Sequence, residues 1–301
     1  MSTILITGAA TGLGNAIARA TAAAGHTVYA SMRGLAGKNA ARAQALLDLA
    51  AHDGLNLRVV ELDVTSQESA DAAVATVIRE QGHLDIVVNN AGRLVIGYAE
   101  AFTAEEIAAL FDVNVLGQHR VNRAALPHMR ARGSGYIIYI GSTSTPAHVP
   151  FMAPYVASKA AGDALAETTS FEIGPMGVET TVVLPGALTE GTEHFPDATT
   201  AADTATSAQY AALDPLVGAL NDRFVGLNPV GADASPDAVG REVVRLLALP
   251  PGQRPHRTLV DYQGLRLERI LDVQAQVTEE IFTRMGMSDL LTVTTPTSTS
   301  A

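Results

Sequence analysis

Short apolar runs alternate with longer alanine-rich segments along most of this chain. Seven runs are apolar almost throughout, which is typical of strands that are buried on both faces of a sheet. They are Ile4–Thr7, Thr27–Ser31, Leu57–Glu61, Ile86–Asn89, Tyr136–Ile140, Thr180–Leu184 and Thr258–Val260. Strands that alternate with helical segments predict βαβ units. The pattern therefore predicts one doubly wound α/β domain with a seven-stranded, mostly parallel sheet flanked by helices.

The segments between these runs repeat their apolar residues with the period of an amphipathic helix. The predicted helices are Asn15–Ala24, Ala40–Ala51, Ser66–Gln81, Ala104–Phe111, Gln118–Arg130, Tyr155–Ile173, Asp237–Leu247 and Leu265–Met285. Right-handed connections in such a sheet bring the C-terminal ends of the strands to one edge, where ligands bind. Polar and glycine-rich segments come after most of the predicted strands, so we expect one site at that edge.

The segment 189–231 interrupts this alternation with a mixture of Gly, Pro, Thr and Ala. A long irregular stretch inside a compact fold is usually a lid or a binding loop. We therefore divide the domain, 1–291, into a cofactor part to about 188, this substrate lid, and a C-terminal strand and helix at about 237–286. Residues 292–301 are expected to form a flexible tail.

The large apolar residues of the lid suggest an apolar or aromatic substrate, although packing within the protein explains them equally well. They are Phe195, Tyr210, Leu213, Leu216, Leu220 and Phe224.

Composition narrows the class of protein. The 301 residues carry a formal net charge of −11, so the positive charge expected of a nucleic-acid-binding protein is missing. The absence of cysteine excludes disulfides, thiolate metal sites and cysteine nucleophiles. No apolar run approaches the ~18–20 residues that a membrane span needs, and no cluster of His and carboxylates suggests a metal site. We expect a cytoplasmic protein.

A glycine-rich turn comes after the first predicted strand, in the order Gly8-Ala9-Ala10-Thr11-Gly12-Leu13-Gly14. Glycines at such a turn let the backbone approach a pyrophosphate at the N-terminus of the next helix. The alternative is a plain strand-to-helix turn. The spacing differs from Gly-x-Gly-x-x-Gly, and no Gly-Lys-Ser/Thr sequence indicates a nucleoside-triphosphate loop.

Tyr155 and Lys159 stand four residues apart, so on a helix they share one face about one turn apart. A neighbouring ammonium group favours the phenolate and lowers the pKa of tyrosine from ~10. This pair can therefore supply an acid or a base at neutral pH. The alternative is two ordinary residues on a helix surface.

Together these features resemble the short-chain dehydrogenase/reductase family in its compact form, which implies a Rossmann-type fold. Asn89-Asn90-Ala91-Gly92 resembles the family signature after the fourth strand, and Pro185-Gly186 with Thr189 resembles the segment that covers the nicotinamide. The resemblance runs from about Met1 to Thr189. Within the family, Val28–Arg33 resembles the branch of the 17β-hydroxysteroid dehydrogenases and retinol reductases. One departure is Ala10, where many members carry serine.

The resemblance implies a catalytic tetrad of Asn114, Ser142, Tyr155 and Lys159. Tyr155 would exchange a proton with the substrate oxygen, Ser142 would orient that oxygen, and Lys159 would hold the nicotinamide ribose and lower the pKa of Tyr155. Asn114 would interrupt a helix and hold a water that passes protons from Lys159. For Ser142, the alternative is an ordinary serine-rich turn, since Ser144 lies nearby. For Asn114, the alternative is a helix-capping amide.

Cofactor choice depends on the end of the second strand, where an acidic residue selects NAD and a nearby arginine accommodates the 2′-phosphate of NADP. The chain has Ser31 and Arg33 there and no acid until Asp48. We therefore predict NADP(H) as the preferred cofactor, with NAD(H) possible, unless Arg33 is only a solvated surface residue. Asp63 resembles the residue that contacts adenine, and it also fits a helix N-cap. The predicted cofactor residues are Gly8, Thr11, Gly12, Leu13, Gly14, Ser31, Arg33, Asp63, Val64, Asn90, Ala91, Gly92, Tyr155, Lys159, Pro185, Gly186, Leu188 and Thr189.

The sequence thus predicts an NADP(H)-dependent oxidoreductase that interconverts a secondary alcohol and a ketone. The alternatives are an NADP-binding sensor or scaffold without turnover, and an NAD-dependent alcohol dehydrogenase. His148 and His194 could reach the site, but a lone loop histidine is usually solvated and neither is assigned a role. The resemblance also predicts a homodimer or homotetramer that packs through Gln118–Arg130 and Tyr155–Ile173.

Overall fold

The seven apolar runs form one parallel sheet in the computed structural model, which describes residues 1–188 and 191–294. The strands are β1 (Thr3–Ile6), β2 (Thr27–Met32), β3 (Leu57–Glu61), β4 (Ile86–Asn89), β5 (Gly135–Ile140), β6 (Val178–Pro185) and β7 (Arg257–Val260). Their order across the sheet is β3-β2-β1-β4-β5-β6-β7, and every neighbouring pair is parallel. The predicted fold class is confirmed.

Eleven α-helices occur in the described ranges. They are α1 (Gly12–Ala23), α2 (Ala40–Asp53), α3 (Gln67–Gln81), α4 (Ala104–Phe111), α5 (Gly117–Arg132), α6 (Ala153–Ile173), α7 (Thr204–Ala208), α8 (Asp214–Gly218), α9 (Leu220–Val225), α10 (Pro236–Ala248) and α11 (Glu268–Met285). The eight predicted helices are present with small shifts at their ends. The short helices α7–α9 were missed because five or six residues are too few to establish a helical period.

The core has two layers because successive strand residues point to opposite faces of the sheet. On β1, Ile4 and Ile6 pack with α1, α2 and α10, whereas Leu5 packs on the other side with α3, α5 and α6. Each face of the sheet is therefore covered by helices, as its continuous apolar strands predicted.

The strand order reverses at β1, which pairs with β2 on one side and with β4 on the other. The connections on the two sides diverge at this point and leave a crevice at the C-terminal ends of the strands. The turn after β1 and the segment after β4 both open into this crevice.

The lid has a small apolar core of its own beside the sheet. The Tyr210 ring stacks on Tyr98 with centroids 4.6 Å apart, and the Tyr98 hydroxyl donates to Asp214 at 2.6 Å. An isolated parallel bridge between Val95 and Thr199 ties the lid to the segment after β4. The lid is thus packed against the domain through both side chains and backbone.

Two predicted features fall partly or wholly outside the described residues. Thr189 is one, and the tail beyond residue 294 is the other. Within the described end of the chain, the Thr294 amide donates to the Gly174 carbonyl at 3.0 Å. Among the helices of the described ranges, none has the length and apolar character required to cross a bilayer.

Candidate active site

A cavity of about 870 Å³ occupies the crevice at the C-terminal edge of the sheet. Segments that come after each of the seven strands line it, together with residues from both ends of the lid. The predicted site residues that line it are Gly8, Thr11, Gly12, Leu13, Arg33, Asp63, Val64, Asn90, Ala91, Gly92, Ser142, Tyr155, Lys159, Pro185, Gly186 and Leu188. Most of the residues predicted to meet at the C-terminal ends of the strands thus lie around one cavity. Gly14, Ser31 and Asn114 do not line the cavity, and Thr189 lies outside the described residues.

The glycine-rich turn is packed too closely to accept side chains at two of its positions. Gly8 has a φ of +66°, and a Cβ there would lie 2.9 Å from the Ala91 Cα. A Cβ on Gly14 would lie 2.4 Å from the Gly8 carbonyl oxygen and 2.5 Å from the Asn90 amide nitrogen. Gly14 therefore supports the turn from beneath, while Gly8 lets its backbone face the cavity.

The segment after β4 fixes the same turn through hydrogen bonds. The Asn90 side chain donates to the carbonyls of Thr7 and Gly8 at 2.9 and 3.1 Å. The Thr7 hydroxyl accepts from the Asn90 and Ala91 amides at 2.9 and 3.0 Å. At the start of α1, the Thr11 side chain makes no capping bond, which leaves its hydroxyl and the first-turn amides available to an anion.

Three cationic side chains line the cavity near the end of β2. Arg33 was predicted from the sequence, whereas Lys38 and Arg42 were not. Arg42 donates to both carboxylate oxygens of the lid residue Glu193 at 2.7 and 3.0 Å, and Arg33 lies 3.9 Å from the Asp63 carboxylate. Lys38 and Arg42 could have been noticed as the next basic residues along the chain, although only the fold shows that they face the same space.

Ser31 is a predicted cofactor residue whose side chain does not face the cavity. Its side chain is fully buried, and its hydroxyl oxygen has no hydrogen-bond partner within the described residues. Adjacent strand residues point to opposite faces, so Met32 lines the cavity while Ser31 points away from it. A neutral hydrogen bond from Ser31 to a phosphate, which the sequence suggested, does not fit this placement.

Asp63 faces the cavity at the end of β3. Burial by itself raises the pKa of this carboxyl, but hydrogen bonds from the Thr65 amide and hydroxyl, and the nearby Arg33 charge, outweigh burial and lower it. The helix cap is Ser66, whose hydroxyl accepts from the Ser69 amide at 3.1 Å. Asp63 is therefore not the N-cap of α3.

Tyr155 and Lys159 are both buried on the first turns of α6 and point into the cavity. The Lys159 ammonium donates to the Ile140 carbonyl at 2.9 Å and lies 5.9 Å from the centre of the Tyr155 ring. Ser142 lies just beyond β5, and its hydroxyl oxygen accepts from the Ser144 amide and hydroxyl at 3.1 and 2.9 Å. The interpretation of Tyr155 and Lys159 as ordinary surface residues is excluded by their burial.

Burial controls the protonation of this pair. It raises the pKa of Tyr155 to about 12, although the Ser142 hydroxyl acts in the opposite direction. It lowers the pKa of Lys159 to about 8. The sequence predicted that Lys159 lowers the pKa of Tyr155; in the protein alone the loss of hydration outweighs that effect, because both groups lie away from water.

Asn114 lies in a π-helical turn, Asp112–Leu116, that separates α4 from α5. The predicted interruption of a helix is therefore present. Its side-chain oxygen accepts from the Arg93 amide at 2.8 Å, and its amide donates to the Arg93 carbonyl at 3.0 Å and to the Ser158 hydroxyl at 2.9 Å. Asn114 thus joins the segment after β4 to α6 rather than capping a helix.

The Pro185-Gly186 segment is held in place by residues that come after β7. The Tyr262 hydroxyl donates to the Gly186 carbonyl at 2.5 Å, and the Ala187 amide donates to the side-chain oxygen of Gln263 at 3.2 Å. The C-terminal part of the chain thereby shapes the cavity, although its sequence carries no recognisable motif.

His194 is a site residue that received no role from sequence reasoning. Its Nε2 lies 3.4 Å from the Tyr155 hydroxyl, and its ring meets the Tyr155 ring edge-on. Burial and, to a smaller extent, the Lys159 charge lower the pKa of His194 to about 4. His148 also lines the cavity. No sequence signal distinguished the two, because only the fold of the lid brings His194 to Tyr155.

Residues 2–201 match the family model described as short chain dehydrogenase. The chain belongs to the short-chain dehydrogenase/reductase family. It is therefore an oxidoreductase by family, as the sequence predicted. Within the described residues, no group of three His, Asp or Glu side chains is arranged to hold a metal ion.

Two curated relatives show how far the similarity extends. A 3-ketodihydrosphingosine reductase from Bacteroides thetaiotaomicron is 32% identical over 188 residues, which cover 62% of this chain and 64% of the reductase. Estradiol 17-beta-dehydrogenase 1 from Rattus norvegicus is 35% identical over 191 residues, which cover 62% of this chain and 54% of that enzyme. The matches thus span less than two thirds of each relative's length. The match to estradiol 17-beta-dehydrogenase 1 agrees with the resemblance of Val28–Arg33 to the hydroxysteroid branch.

Solved structures extend the similarity to nearly the whole chain. A short-chain dehydrogenase from Streptomyces avermitilis is 30% identical with a TM-score of 0.73, and the match covers 95% of this chain and 99% of that one. A gluconate 5-dehydrogenase from Burkholderia cenocepacia, in complex with NADP and tartrate, is 31% identical with a TM-score of 0.57 and coverages of 62% and 71%.

Proposed function

We propose that this protein is an NADP(H)-dependent oxidoreductase that interconverts a secondary alcohol and a ketone. The observation that carries the proposal is the Tyr155 hydroxyl, which is buried in the cavity one helical turn from the Lys159 ammonium. A protonated phenol at the bottom of a cleft suits proton transfer to a carbonyl oxygen. The family assignment supplies the reaction class.

The residues around the cavity fit a dinucleotide. The turn Gly8–Leu13 exposes backbone amides to the pyrophosphate because side chains are excluded from its tightest positions. Arg33, Lys38 and Arg42 provide positive charge for a 2′-phosphate, which NAD lacks. The NADP in the Burkholderia enzyme is consistent with this choice. Asp63 and Val64 would lie at the adenine, Asn90 to Gly92 and Pro185 to Leu188 would enclose the nicotinamide end, and Lys159 would hold its ribose.

Bound NADP(H) supplies or accepts the hydride. For reduction, Tyr155 donates its proton to the substrate oxygen, and its high pKa keeps that proton available at neutral pH. Ser142 donates a hydrogen bond that orients the same oxygen. Lys159 positions the ribose, and Asn114 would hold the water through which Tyr155 regains its proton. For oxidation, the positive charge of the oxidised ring favours the phenolate.

The substrate would be apolar or aromatic. Two of the six lid residues singled out in the sequence, Phe195 and Phe224, line the cavity. Leu220 and Tyr210 pack within the lid core instead, and Leu213 and Leu216 are exposed. The apolar part of the pocket is completed by Leu94, Val149, Met152 and Leu227.

The test is to monitor the absorbance of NADPH and of NADH in the presence of a panel of ketones. We expect oxidation of NADPH with an apolar or aryl ketone, no turnover by Tyr155→Phe, and a lower kcat/KM with NADH. Binding of NADPH without turnover of any ketone or alcohol would favour a sensor or scaffold protein, and a preference for NADH would favour an NAD-dependent alcohol dehydrogenase. The cytoplasmic location and the homodimer or homotetramer through α5 and α6 stay predictions.

A further inference from the structure

Helix α11 has an apolar face that no described part of the chain covers. The helix is 18 residues long, and none of its residues is buried. Its exposed apolar side chains recur every three or four residues and thus form one stripe. They are Ile270, Val273, Val277, Ile281 and Met285, with exposed fractions of 47, 58, 47, 48 and 62%.

A neighbouring side of α11, about a quarter turn around the helix from the stripe, makes the contacts with its own domain. The Phe282 ring packs on Phe171 of α6 with centroids 4.7 Å apart, and Gln274 donates to Glu167 at 3.2 Å. Leu271 is partly buried against the core. Helices in proteins derive most of their stability from burying an apolar face. A helix of this length whose apolar stripe is exposed to water is therefore expected to pack against another molecule.

Two other partners for the stripe fit less well: an anionic membrane surface and the residues of this chain after 294. The helix carries four acidic and two basic residues on a chain of net charge −11, whereas helices that lie on anionic membranes are rich in Lys and Arg. The residues after 294 are Thr, Ser, Pro and Ala. They offer no large apolar side chain that could fill the stripe.

We propose that the stripe on α11 packs against the same stripe of a second copy of this chain, with the two helices antiparallel. The stripe is self-complementary about a two-fold axis near Ala275. Such an axis sets Ile270 opposite the partner's Ile281 and Val273 opposite the partner's Val277. A two-fold interface uses the same surface on both subunits, so this self-complementarity is what it requires.

The charges beside the stripe fit the same arrangement. Arg269 and Glu280 are eleven residues apart, which is about three helical turns, so they lie on one flank of the stripe. Antiparallel pairing brings Arg269 near the partner's Glu280, and the reverse pair forms by symmetry. A parallel two-fold pair would carry the two copies of this flank to opposite edges of the interface, so Arg269 and the partner's Glu280 would not meet.

The exposed apolar surface of α11 continues beyond the C-terminal end of the helix. Met176 and Met287, which are 47 and 40% exposed, add to it because the turn Gly174–Met176 packs against the turn Ser288–Leu291 at the C-terminal end of α11.

The first test is the mass of the purified full chain by size-exclusion chromatography with light scattering. Val277→Glu puts carboxylates from both copies at the centre of the interface, and we expect the mass to fall to half that of the wild type. Leu47→Glu, at a residue of α2 that is 38% exposed, is the matched control and should keep the wild-type mass. Circular dichroism checks that both variants are folded.

The second test is a charge exchange. Arg269→Glu and Glu280→Arg should each weaken the association at low salt, and the double variant should restore it. Restoration by the double variant can come only from contact between these residues of two copies. An unchanged mass in Val277→Glu, a monomeric wild type at all concentrations, or a monomer that binds vesicles of phosphatidylcholine through this stripe would overturn the proposal.

Discussion

The imidazole Nε2 of His194 lies 3.4 Å from the hydroxyl of Tyr155, so a residue of the lid contacts the proposed catalytic acid. Burial lowers the pKa of His194 to about 4, and the ring is therefore neutral at physiological pH. A neutral imidazole can accept a hydrogen bond from the phenol and favours its protonated form. The position of the lid and the protonation of Tyr155 are thereby linked.

His194→Ala is expected to move the pKa of Tyr155 down from about 12 towards its ordinary value. The substitution removes the acceptor and admits water, and both changes favour the phenolate. The pH profile of alcohol oxidation measures this, because the limb that reports Tyr155 should shift to lower pH. His148→Ala is the control, since His148 lines the cavity without a hydrogen bond to Tyr155. Equal profiles for both variants would show that the contact has no influence on the acid.

Tyr155→Phe should abolish turnover while the protein still binds NADPH. It removes one hydroxyl and keeps the packing of the ring, and the loss of proton transfer costs about 10²–10⁴-fold or more in rate. Steady-state kinetics and NADPH fluorescence titration measure the two effects. Tyr139→Phe is the matched control, because Tyr139 is buried on β5 and bonds Asn122 away from the cavity. Wild-type turnover in Tyr155→Phe would remove this residue from the mechanism.

Lys159 should make the protein more stable as the pH rises from about 8 to 10. Burial lowers its pKa to about 8, so in this window the folded protein has lost a proton that the unfolded chain retains. Unfolding then takes up a proton, and the free energy of unfolding rises with pH. Above about pH 10 the raised pKa of Tyr155 acts in the opposite direction.

Urea unfolding at several pH values tests this prediction. The rise should reach up to about 2 kcal/mol in the wild type and be absent in Lys159→Met. Lys38→Met, which replaces an exposed lysine of the same cavity, should share the rise of the wild type. Parallel curves for the wild type and Lys159→Met would mean that Lys159 is not desolvated.

Arg33→Ala should weaken NADP binding much more than NAD binding, because only NADP carries the 2′-phosphate. One charge-assisted contact is worth roughly 1.5–3 kcal/mol, or about ten- to a hundredfold in affinity. Met32→Asp should shift the preference further, since a carboxylate there repels the phosphate and accepts from the NAD ribose. The measurement is kcat/KM with both cofactors. Arg79→Ala, at an exposed arginine of α3, is the control, and a cofactor ratio that neither substitution changes would show Arg33 to be only a surface residue.

Gly14→Ala should lower both stability and cofactor affinity. Its methyl group would meet the Gly8 carbonyl oxygen at 2.4 Å, and the turn must move to accommodate it. Gly218→Ala is the control, because no atom of the described residues lies within 4 Å of the methyl group that it would add. Thermal unfolding and NADPH titration compare the two. Equal behaviour of the two variants would contradict the close packing under the turn.

The sequence by itself determined the fold and the chemical groups of the candidate site. Apolar runs of strand length, separated by amphipathic helices, admit few arrangements other than a parallel sheet, and parallel strands bring the residues at their C-terminal ends to one edge. The Gly8 turn, Asp63 and Ser142 could therefore be placed at one site from the sequence. Tyr155 and Lys159 were assigned to it by their four-residue spacing and by their resemblance to the catalytic pair of the family.

Only the tertiary structure decided which side chains face the cavity and in what state. Ser31 and Met32 are adjacent in sequence and both buried, yet the pleat of β2 points Met32 into the cavity and Ser31 away from it. His194 meets Tyr155 through a lid whose short helices have no periodic signal. The loss of hydration that sets the pKa of Tyr155 and Lys159 comes from atoms distant along the chain. Contacts of this kind depend on how segments pack, and a linear pattern of residues does not encode that packing.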